Sequence, residues 1–474
     1  MNQQASDFTV RGQRVVVVGG ARSGVSAARL LVARGARVAL TDTRAAIDGQ
    51  DALAAIGVEL VLGGHPQGLL TGADLVVLSP GVPLTQPMVA EARRAGVPVM
   101  GEVELASRWL RGRVVAITGT KGKSTTTALT GRILAEAGMH APVGGNIGTP
   151  LADHVEASTP DTIHVVEVSS FQLESTDTFH PWIAALLNLT PDHLDRHADV
   201  AEYAAAKARI FARQRSADWA VANADDEQAI GIASRGLAPV VRFARVGRID
   251  AGVTVRDGFV IERTSDGDAP ILPIADVRLI GPHLLEDVLA AAAITRLAGV
   301  APPVIARAVA AFRGLEHAME WVAEVRGVRF VNDSKATNLD AARQAIETFG
   351  PGVVVIMGGR FKGGDWRLLR EPLRARAATV VAIGEAASLI EEALAGAAAV
   401  TRATTMADAV RAAHAAARPG SSVVLAPACA SFDMFADYAA RGRAFKDEVA
   451  RLGQGRGARD EGRGARDEGR GTRG

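Results

Sequence analysis

The sequence predicts an α/β protein of three domains in which helices cover mainly parallel sheets. The chain has 474 residues, which is about three domains of ordinary size. Continuous apolar runs rich in β-branched residues alternate with helical stretches of Ala, Leu and Arg, and this alternation restarts after Arg111 and near Gly350. A polar, turn-rich stretch from Arg242 to Ile274 is typical of antiparallel strands. We therefore expect domains at 1–110, 111–313 and 314–453, and a tail at 454–474.

The composition excludes several classes of protein. Hydrophobic residues (48%) and charged residues (22%) match ordinary globular usage, so the chain as a whole is not disordered. A net charge of +1 and 4% aromatic residues argue against nucleic acid as a partner. No apolar run reaches the ~18 residues of a membrane span, and the N-terminus lacks the pattern of a secretory signal. We expect a cytoplasmic protein with no membrane partner, and the single cysteine, Cys429, excludes a disulfide framework.

The first strand-to-helix turn predicts a Rossmann-like domain that binds a nucleotide. In RVVVVGGARSG a strand ends at Gly19 and a helix begins near Ser23, and Asp42 closes the next strand at the place of a ribose-binding acid. A third turn, at 79–81, also follows a strand and would lie at the same sheet edge. The dinucleotide fingerprint is interrupted at Ala21, so a hydride-transfer enzyme and a plain α/β turn both stay open as alternatives.

The second domain opens with a phosphate-binding loop. The apolar strand 114–117 runs into TGTKGKSTT, and a helical stretch follows. In such a loop Lys123 reaches the terminal phosphates and Ser124 offers its hydroxyl to Mg²⁺. Position 117 is Ile, so this is the shorter TGTxGKST form of the motif. The expected ATP-binding residues are Gly119, Thr120, Lys121, Gly122, Lys123, Ser124 and Thr125.

Polar clusters follow three further strands of this domain. They are the turn GGNIG at 144–148, Glu167 at the end of the strand 164–168, and DHLD at 192–195. An acid one strand away from a phosphate loop is the expected second ligand of Mg²⁺, whereas Glu167 on its own could equally be a helix cap or a surface acid.

The third domain has the same arrangement of loops after strands. NDSKATN, GGRFKGG and PACAS each follow an apolar strand, and Lys335 at a helix start suits an anionic ligand. Cys429 could be a nucleophile, but no histidine lies near it in sequence, so we favour a structural role. The tail repeats GRGARDE, which cannot bury a core; we expect it to be disordered, and an interaction tail is the alternative.

Together the motifs TGTKGKST, GGNIG, VVEVSSFQLE, LNLTPDHLDRH, NDSKATN, GGRFKGG and APACASFDMF resemble the Mur ligase family, over about residues 12–453. The likeness is strongest to the glutamate-adding branch of that family. It implies an ATP-dependent ligase that joins glutamate to the alanine carboxylate of UDP-N-acetylmuramoyl-L-alanine through an acyl phosphate, in peptidoglycan precursor synthesis. It also implies a central P-loop ATPase-like domain between two Rossmann-like domains, and two Mg²⁺ ions. We expect a monomer.

The resemblance also implies roles for single residues. Lys123, Glu167, His193 and Lys207 match catalytic positions. The matching magnesium ligands are Ser124, Glu167, His193 and Lys207, the last as a carbamate, which turns a cation into an anionic oxygen ligand. The UDP-substrate positions are Arg22, Ser23, Asp42, Thr43, Arg44, Ser79, Pro80, Gly81 and Asn146. The glutamate positions are Lys335, Thr337, Lys362, Ser431 and Tyr438.

The sequence departs from the family pattern on the nucleotide side. Leu284 and Asp287 replace the two asparagines of the family's G-x-H-N-x-x-N segment, and Ala318 replaces the arginine of H-R-x-E. We therefore expect weakened ATP affinity or an altered nucleotide pose with the chemistry retained, and tighter binding in Ala318→Arg. The alternatives are another Mur-type or folylpolyglutamate-synthase-like ligase, and a nucleotide-binding relative with impaired catalysis. The preference for D- or L-glutamate is open.

Overall fold

The computed structural model describes residues 8–191, 196–279 and 281–454. The chain divides into two compact units, one of Met1–Val277 and His283–Ala310, the other of Arg278–Pro282 and Ala311–Gly474. The first unit contains two sheets and the second contains one. The boundaries expected near 110 and 313 stay predictions, because the first unit joins the first two expected domains.

The first sheet has five parallel strands. They are β1 (Arg14–Val18), β2 (Arg37–Asp42), β3 (Glu59–Leu62), β4 (Leu75–Leu78) and β5 (Val99–Gly101), in the order β3-β2-β1-β4-β5. The helices are α1 (Arg22–Ala33), α2 (Gln50–Ala55), α3 (Pro87–Arg94) and α4 (Glu102–Ser107). The order reverses between β1 and β4, and a ligand crevice is expected beyond the carboxyl ends of the strands at such a point.

The second sheet has nine strands: β6 (Arg113–Thr118), β7 (Val143–Gly145), β8 (Ile163–Glu167), β9 (Ile183–Leu186), β10 (Trp219–Asn223), β11 (Val240–Ala244), β12 (Gly252–Arg256), β13 (Phe259–Thr264) and β14 (Gly267–Pro273). The pairs β12–β13 and β13–β14 are antiparallel, as expected for the polar stretch 242–274, and β11–β12 is parallel. Their order is β14-β13-β12-β11-β10-β9-β6-β8-β7. The helices are α5 (Lys123–Glu136), α6 (Ser170–Glu174), α7 (Val200–Ala208), α8 (Glu227–Ala233), α9 (Pro282–Leu297) and α10 (Pro302–Ala311).

The third sheet has six strands: β15 (Glu320–Val325), β16 (Val328–Asn332), β17 (Val354–Gly358), β18 (Thr379–Ile383), β19 (Ala399–Ala403) and β20 (Ser422–Leu425). Their order is β15-β16-β20-β17-β18-β19, and all pairs are parallel except the edge pair β15–β16. The helices are α11 (Leu339–Thr348), α12 (Arg370–Ala375), α13 (Ala387–Leu394), α14 (Met406–Ala416) and α15 (Tyr438–Gln454). Gln454, where the tail was expected to begin, is the last residue of α15; the rest of the tail lies outside the described residues.

The continuous apolar strands are explained by cores on both faces of the sheets. In β1, Val15 and Val17 pack in one hydrophobic cluster, and Val16 and Val18 pack in another. Because side chains alternate between the two faces of a strand, a strand buried on both faces has no polar positions. Within the described residues, no helix is long and apolar enough to cross a membrane.

Candidate active site

The seven residues predicted to bind ATP lie at the junction of β6 and α5. Gly122, just before the helix, has a φ of 80°, and a Cβ built on it would lie 2.0 Å from Asp287 Oδ1, so only glycine fits there. Lys123 Nζ donates hydrogen bonds to the carbonyls of Gly119 (2.9 Å) and Thr120 (2.8 Å). The ammonium group is therefore held over the loop at the N-terminal end of α5, where phosphates bind in such structures.

Asn188 stabilises the phosphate loop through hydrogen bonds, although it was not among the predicted site residues. Its side-chain oxygen accepts hydrogen bonds from the backbone N–H groups of Thr120 (3.0 Å) and Lys121 (2.8 Å), and its amide donates to the Lys121 carbonyl (3.1 Å). Asn188 follows β9, the neighbour of β6 in the sheet. An asparagine directly after an apolar strand, in LNLT, is the sequence signal that could have found it.

Glu167 ends β8, on the other side of β6, and is 2% exposed. Its Oε1 accepts a hydrogen bond from Asn146 Nδ2 (2.7 Å), whereas its buried Oε2 has no hydrogen-bond partner among the described residues. A buried carboxylate oxygen without a donor is suited to a hard cation, so Glu167 fits the predicted Mg²⁺. The described part of the chain holds no complete cluster of three acidic, His or Cys ligands, and His193 lies outside it.

Lys207 reaches the phosphate loop from α7. The side chain is 1% exposed, and its Nζ donates to the Gly119 carbonyl at 2.8 Å, the same carbonyl that Lys123 contacts. The Nζ also lies 4.6 Å from the centre of the Tyr203 ring, and the Tyr203 hydroxyl is 3.1 Å from that of Thr120. The fold therefore places Lys207 at the loop, although its position in a helix gives no sign of this.

A cavity of about 480 Å³ opens at the carboxyl ends of β1, β2 and β4. It is also lined by the turn after β7, and the Arg22 guanidinium donates to the Gly148 carbonyl across the cavity rim (3.1 Å). All nine residues predicted for the UDP-substrate line it: Arg22, Ser23, Asp42, Thr43, Arg44, Ser79, Pro80, Gly81 and Asn146.

In this cavity the Asp42 carboxylate is already paired. Its two oxygens accept bonds from the Arg44 side chain (2.9 and 2.8 Å), the Arg44 N–H (2.8 Å) and the Gly20 N–H (2.7 Å). The Arg44 side chain, ahead of the other partners, holds the pKa of the Asp42 carboxyl well below its usual range. Four bonds fill the acceptor sites of a carboxylate, so a ribose hydroxyl would displace Arg44, whose side chain is 52% exposed.

The predicted glutamate residues lie on loops after three adjacent strands of the third sheet. Lys335 and Thr337 follow β16, Lys362 follows β17, and Ser431 follows β20, while Tyr438 is the first residue of α15. Lys335, Lys362 and Tyr438 are exposed, Thr337 is half-buried and Ser431 is buried. Burial raises the pKa of the Cys429 thiol to about 12, which agrees with the structural role favoured above rather than with a nucleophile.

Ala318 lies in a tight turn of the second unit, where His317 (φ 64°) and Met319 (φ 47°) both adopt left-handed backbone conformations. Lys446 of α15 places its Nζ 2.9 Å from carboxylate oxygens of both Glu316 and Glu320, on either side of this turn. Lys446, from a helix that is distant in sequence, therefore places its ammonium group beside the turn in which Ala318 replaces the family arginine. This contact was not predicted.

Asp287 stands where the family has asparagine. It is 4% exposed, its Oδ2 has no hydrogen-bond partner among the described residues, and burial raises the pKa of its carboxyl well above the usual range. The folded protein thus holds this proton more tightly than the unfolded chain, so stability falls as the pH rises above the ordinary carboxyl pKa of ~3.9. We expect Asp287→Asn to raise the Tm at pH 8 by about 4 °C, with a smaller gain at pH 5.

Thermal unfolding of wild type and variant across this pH range tests the expectation. Glu286→Gln is the matched control, because Glu286 is the neighbouring acid, is partly exposed and is paired with Arg245. A gain in Tm that is equal at pH 5 and pH 8 would show that the charge of Asp287 is not its cause.

Comparisons with known proteins agree with this architecture. Residues 13–101 match the model of the Mur ligase MurD-like N-terminal domain, residues 117–295 the Mur ligase middle domain, and residues 318–429 the Mur ligase glutamate ligase domain. The prediction of three α/β domains is thereby confirmed.

Individual relatives match nearly the full length of the chain. The UDP-N-acetylmuramoylalanine–D-glutamate ligase of Koribacter versatilis is 45% identical, covering 94% of this chain and 99% of the relative. The enzyme of the same name from Anaeromyxobacter dehalogenans is 48% identical, covering 92% and 97%. The solved UDP-N-acetylmuramate-alanine ligase of Thermotoga maritima shares the fold, with a TM-score of 0.56 at 17% identity over 93% of this chain and 99% of that one. The chain belongs to the Mur ligase family.

Proposed function

We propose that this protein joins glutamate to the alanine carboxylate of UDP-N-acetylmuramoyl-L-alanine with ATP, in peptidoglycan precursor synthesis. The observation that carries the proposal is the position of Asn146. It lines the cavity of the first sheet and donates to Glu167, which ends the strand beside the phosphate loop. A substrate held in the cavity can therefore reach the place where ATP would be activated.

The chemistry requires two anions to meet. In the first step an alanine carboxylate oxygen attacks the γ-phosphorus of ATP and ADP leaves; in the second the glutamate amine attacks the acyl carbon and phosphate leaves. The carboxylate and the triphosphate repel each other until cations lie between them. Lys123 supplies one such cation at the phosphate loop, and the first-sheet cavity orients the sugar nucleotide.

We further propose that Ser124, Glu167, His193 and Lys207 as a carbamate hold two Mg²⁺ ions. The unpartnered oxygen of Glu167 supports this, as does the position of Lys207 against the phosphate loop. When bound, Mg²⁺ supplies positive charge that screens the phosphates from the attacking carboxylate.

The remaining predictions complete the proposal. Glutamate would bind in the C-terminal domain, at Lys335, Thr337, Lys362, Ser431 and Tyr438. The domain boundaries would lie near residues 110 and 313. We propose a monomer that works in the cytoplasm, with no nucleic acid or membrane as partner.

A second candidate is a nucleotide-binding relative with impaired catalysis. The replacements Leu284, Asp287 and Ala318 favour it, because the buried carboxyl of Asp287 lies against the phosphate loop where the family has a neutral amide. A folylpolyglutamate-synthase-like activity is less well supported, since the cavity collects the residues expected for a uridine diphosphate.

Phosphate release separates these candidates. We expect release that requires ATP, UDP-N-acetylmuramoyl-L-alanine and one glutamate enantiomer together, with a peptide-linked product detected by mass spectrometry. UDP-N-acetylmuramic acid without alanine is the matched control, because it lacks the alanine carboxylate to which glutamate is joined. ATP binding without phosphate release would favour the second candidate.

A further inference from the structure

We propose that Arg441 is the positioning residue of the acidic amino-acid site, acting through the loops that carry the predicted glutamate contacts. The inference deepens the proposed function and rests on it. Arg441 lies in the first turn of α15 and is 2% exposed. Its proposed role is to fix the positions of neighbouring loops and their side chains, without contacting the substrate.

The guanidinium joins three loops at once. Nε donates to the Ser334 hydroxyl (2.9 Å), and Nη2 donates to the Ser334 carbonyl (2.9 Å). Nη1 donates to the carbonyls of Cys429 (3.1 Å) and Gly358 (3.4 Å). The Ser334 hydroxyl in turn donates to the Tyr438 carbonyl (2.7 Å), which connects α15 to the same loop.

Each of these partners is close in sequence to a predicted glutamate residue. Ser334 precedes Lys335, Cys429 is two residues before Ser431, and Gly358 ends β17, before the loop that contains Lys362. The loops follow the adjacent strands β16, β20 and β17, so one planar group sets their spacing. Only the five-donor fork of arginine can serve these acceptors together; a lysine ammonium presents three donors from one point.

The positive charge of Arg441 also favours an acidic ligand at these loops. No acidic side chain forms a salt bridge with it in the part of the chain that the structure describes, and its partners are carbonyls and a hydroxyl. Burial lowers the pKa of the guanidinium to about 10, so it stays protonated at neutral pH. Asp433 is the acid that interacts with this charge, and it does so without a direct salt bridge. Lys335 and Lys362 add exposed cations on two of the same loops, and such cations suit a dicarboxylate amino acid.

Steady-state kinetics of Arg441→Lys, with each of the three substrates varied in turn, tests the proposal. We expect the KM for glutamate to rise by about tenfold or more, because the charge is kept but the three-loop linkage is lost. The KM values for ATP and UDP-N-acetylmuramoyl-L-alanine should stay within about twofold, since their predicted sites lie in the other unit. The control is Arg443→Met, which removes an exposed arginine of the same helix.

Ser334→Ala provides a milder second variant, in case Arg441→Lys folds poorly. It should raise the glutamate KM alone, and its effect should not add to that of Arg441→Lys, because the two side chains share one hydrogen bond. An unchanged glutamate KM in both variants, or an equal rise in all three KM values, overturns the role of Arg441. A wild type that is inactive with both glutamate enantiomers overturns the proposed function instead.

Discussion

Lys123→Ala is expected to reduce phosphate release by at least about 10³-fold at saturating substrates. The ammonium group lies over the phosphate loop, bonded to the carbonyls of Gly119 and Thr120. Alanine removes the cation that would neutralise the terminal phosphates of ATP at this end of α5. The measurement is coupled phosphate release with all three substrates, beside direct nucleotide binding.

Arg132→Ala is the matched control for this variant. Arg132 is an exposed cation of α5, the helix that Lys123 begins, so its removal changes the net charge equally without touching the loop. Normal turnover of Lys123→Ala would remove the phosphate loop from the proposed mechanism. Circular dichroism should show that the variant is folded, so that a loss of phosphate release reports the missing ammonium group.

Lys207→Ala should be nearly inactive and should regain part of its activity with a short-chain carboxylate such as acetate. The proposed carbamate supplies an anionic oxygen, and alanine leaves a space beside Gly119 in which a small carboxylate can provide that oxygen instead. Activity is measured against acetate concentration. The same additions to Lys123→Ala should restore nothing, because that variant lacks a cation rather than an oxygen ligand.

Full activity of Lys207→Ala without any additive would contradict the carbamate. An inactive variant that acetate does not rescue, and whose Tm falls, would indicate a different role. In that case the hydrogen bond to the Gly119 carbonyl would be the function of Lys207, as a support for the phosphate loop.

The fold could be predicted because its signals are local. The run Val15–Val18 is apolar at every position, and the structure buries alternate valines in two different cores. The phosphate loop could be predicted for the same reason, since its strand, glycines, lysine and helix are consecutive. The UDP-substrate residues came from the family resemblance, and the cavity brings them together.

The missed residues act through contacts between distant parts of the chain. Asn188 meets the phosphate loop from the end of a neighbouring strand, and Arg441 meets three loops of the third sheet. Asp287 was recognised as a departure from the family pattern, but its contact with the phosphate loop was not predicted. Arginine is common on protein surfaces, so no short pattern distinguishes Arg441, whereas the position of Asn188 after an apolar strand is a weak signal. Arg441 is identified by its burial and its hydrogen-bond partners, and Asn188 by its hydrogen bonds to the phosphate loop; both are properties of the folded chain.

The sequence alone thus determined the class of fold, the phosphate loop and the family. Each apolar strand and each glycine-rich turn is a run of a few consecutive residues, so it can be recognised without the structure. Only the tertiary structure decided that Lys123 and Lys207 share the Gly119 carbonyl, that Asp42 is paired with Arg44, and that a buried arginine links the loops of the third sheet. The contacts of Lys207 and Arg441 join atoms far apart in sequence, and they exist only after strands from different segments have aligned their carboxyl ends at one edge. Asp42 and Arg44 are close in sequence, but Gly20, which also donates to Asp42, is not.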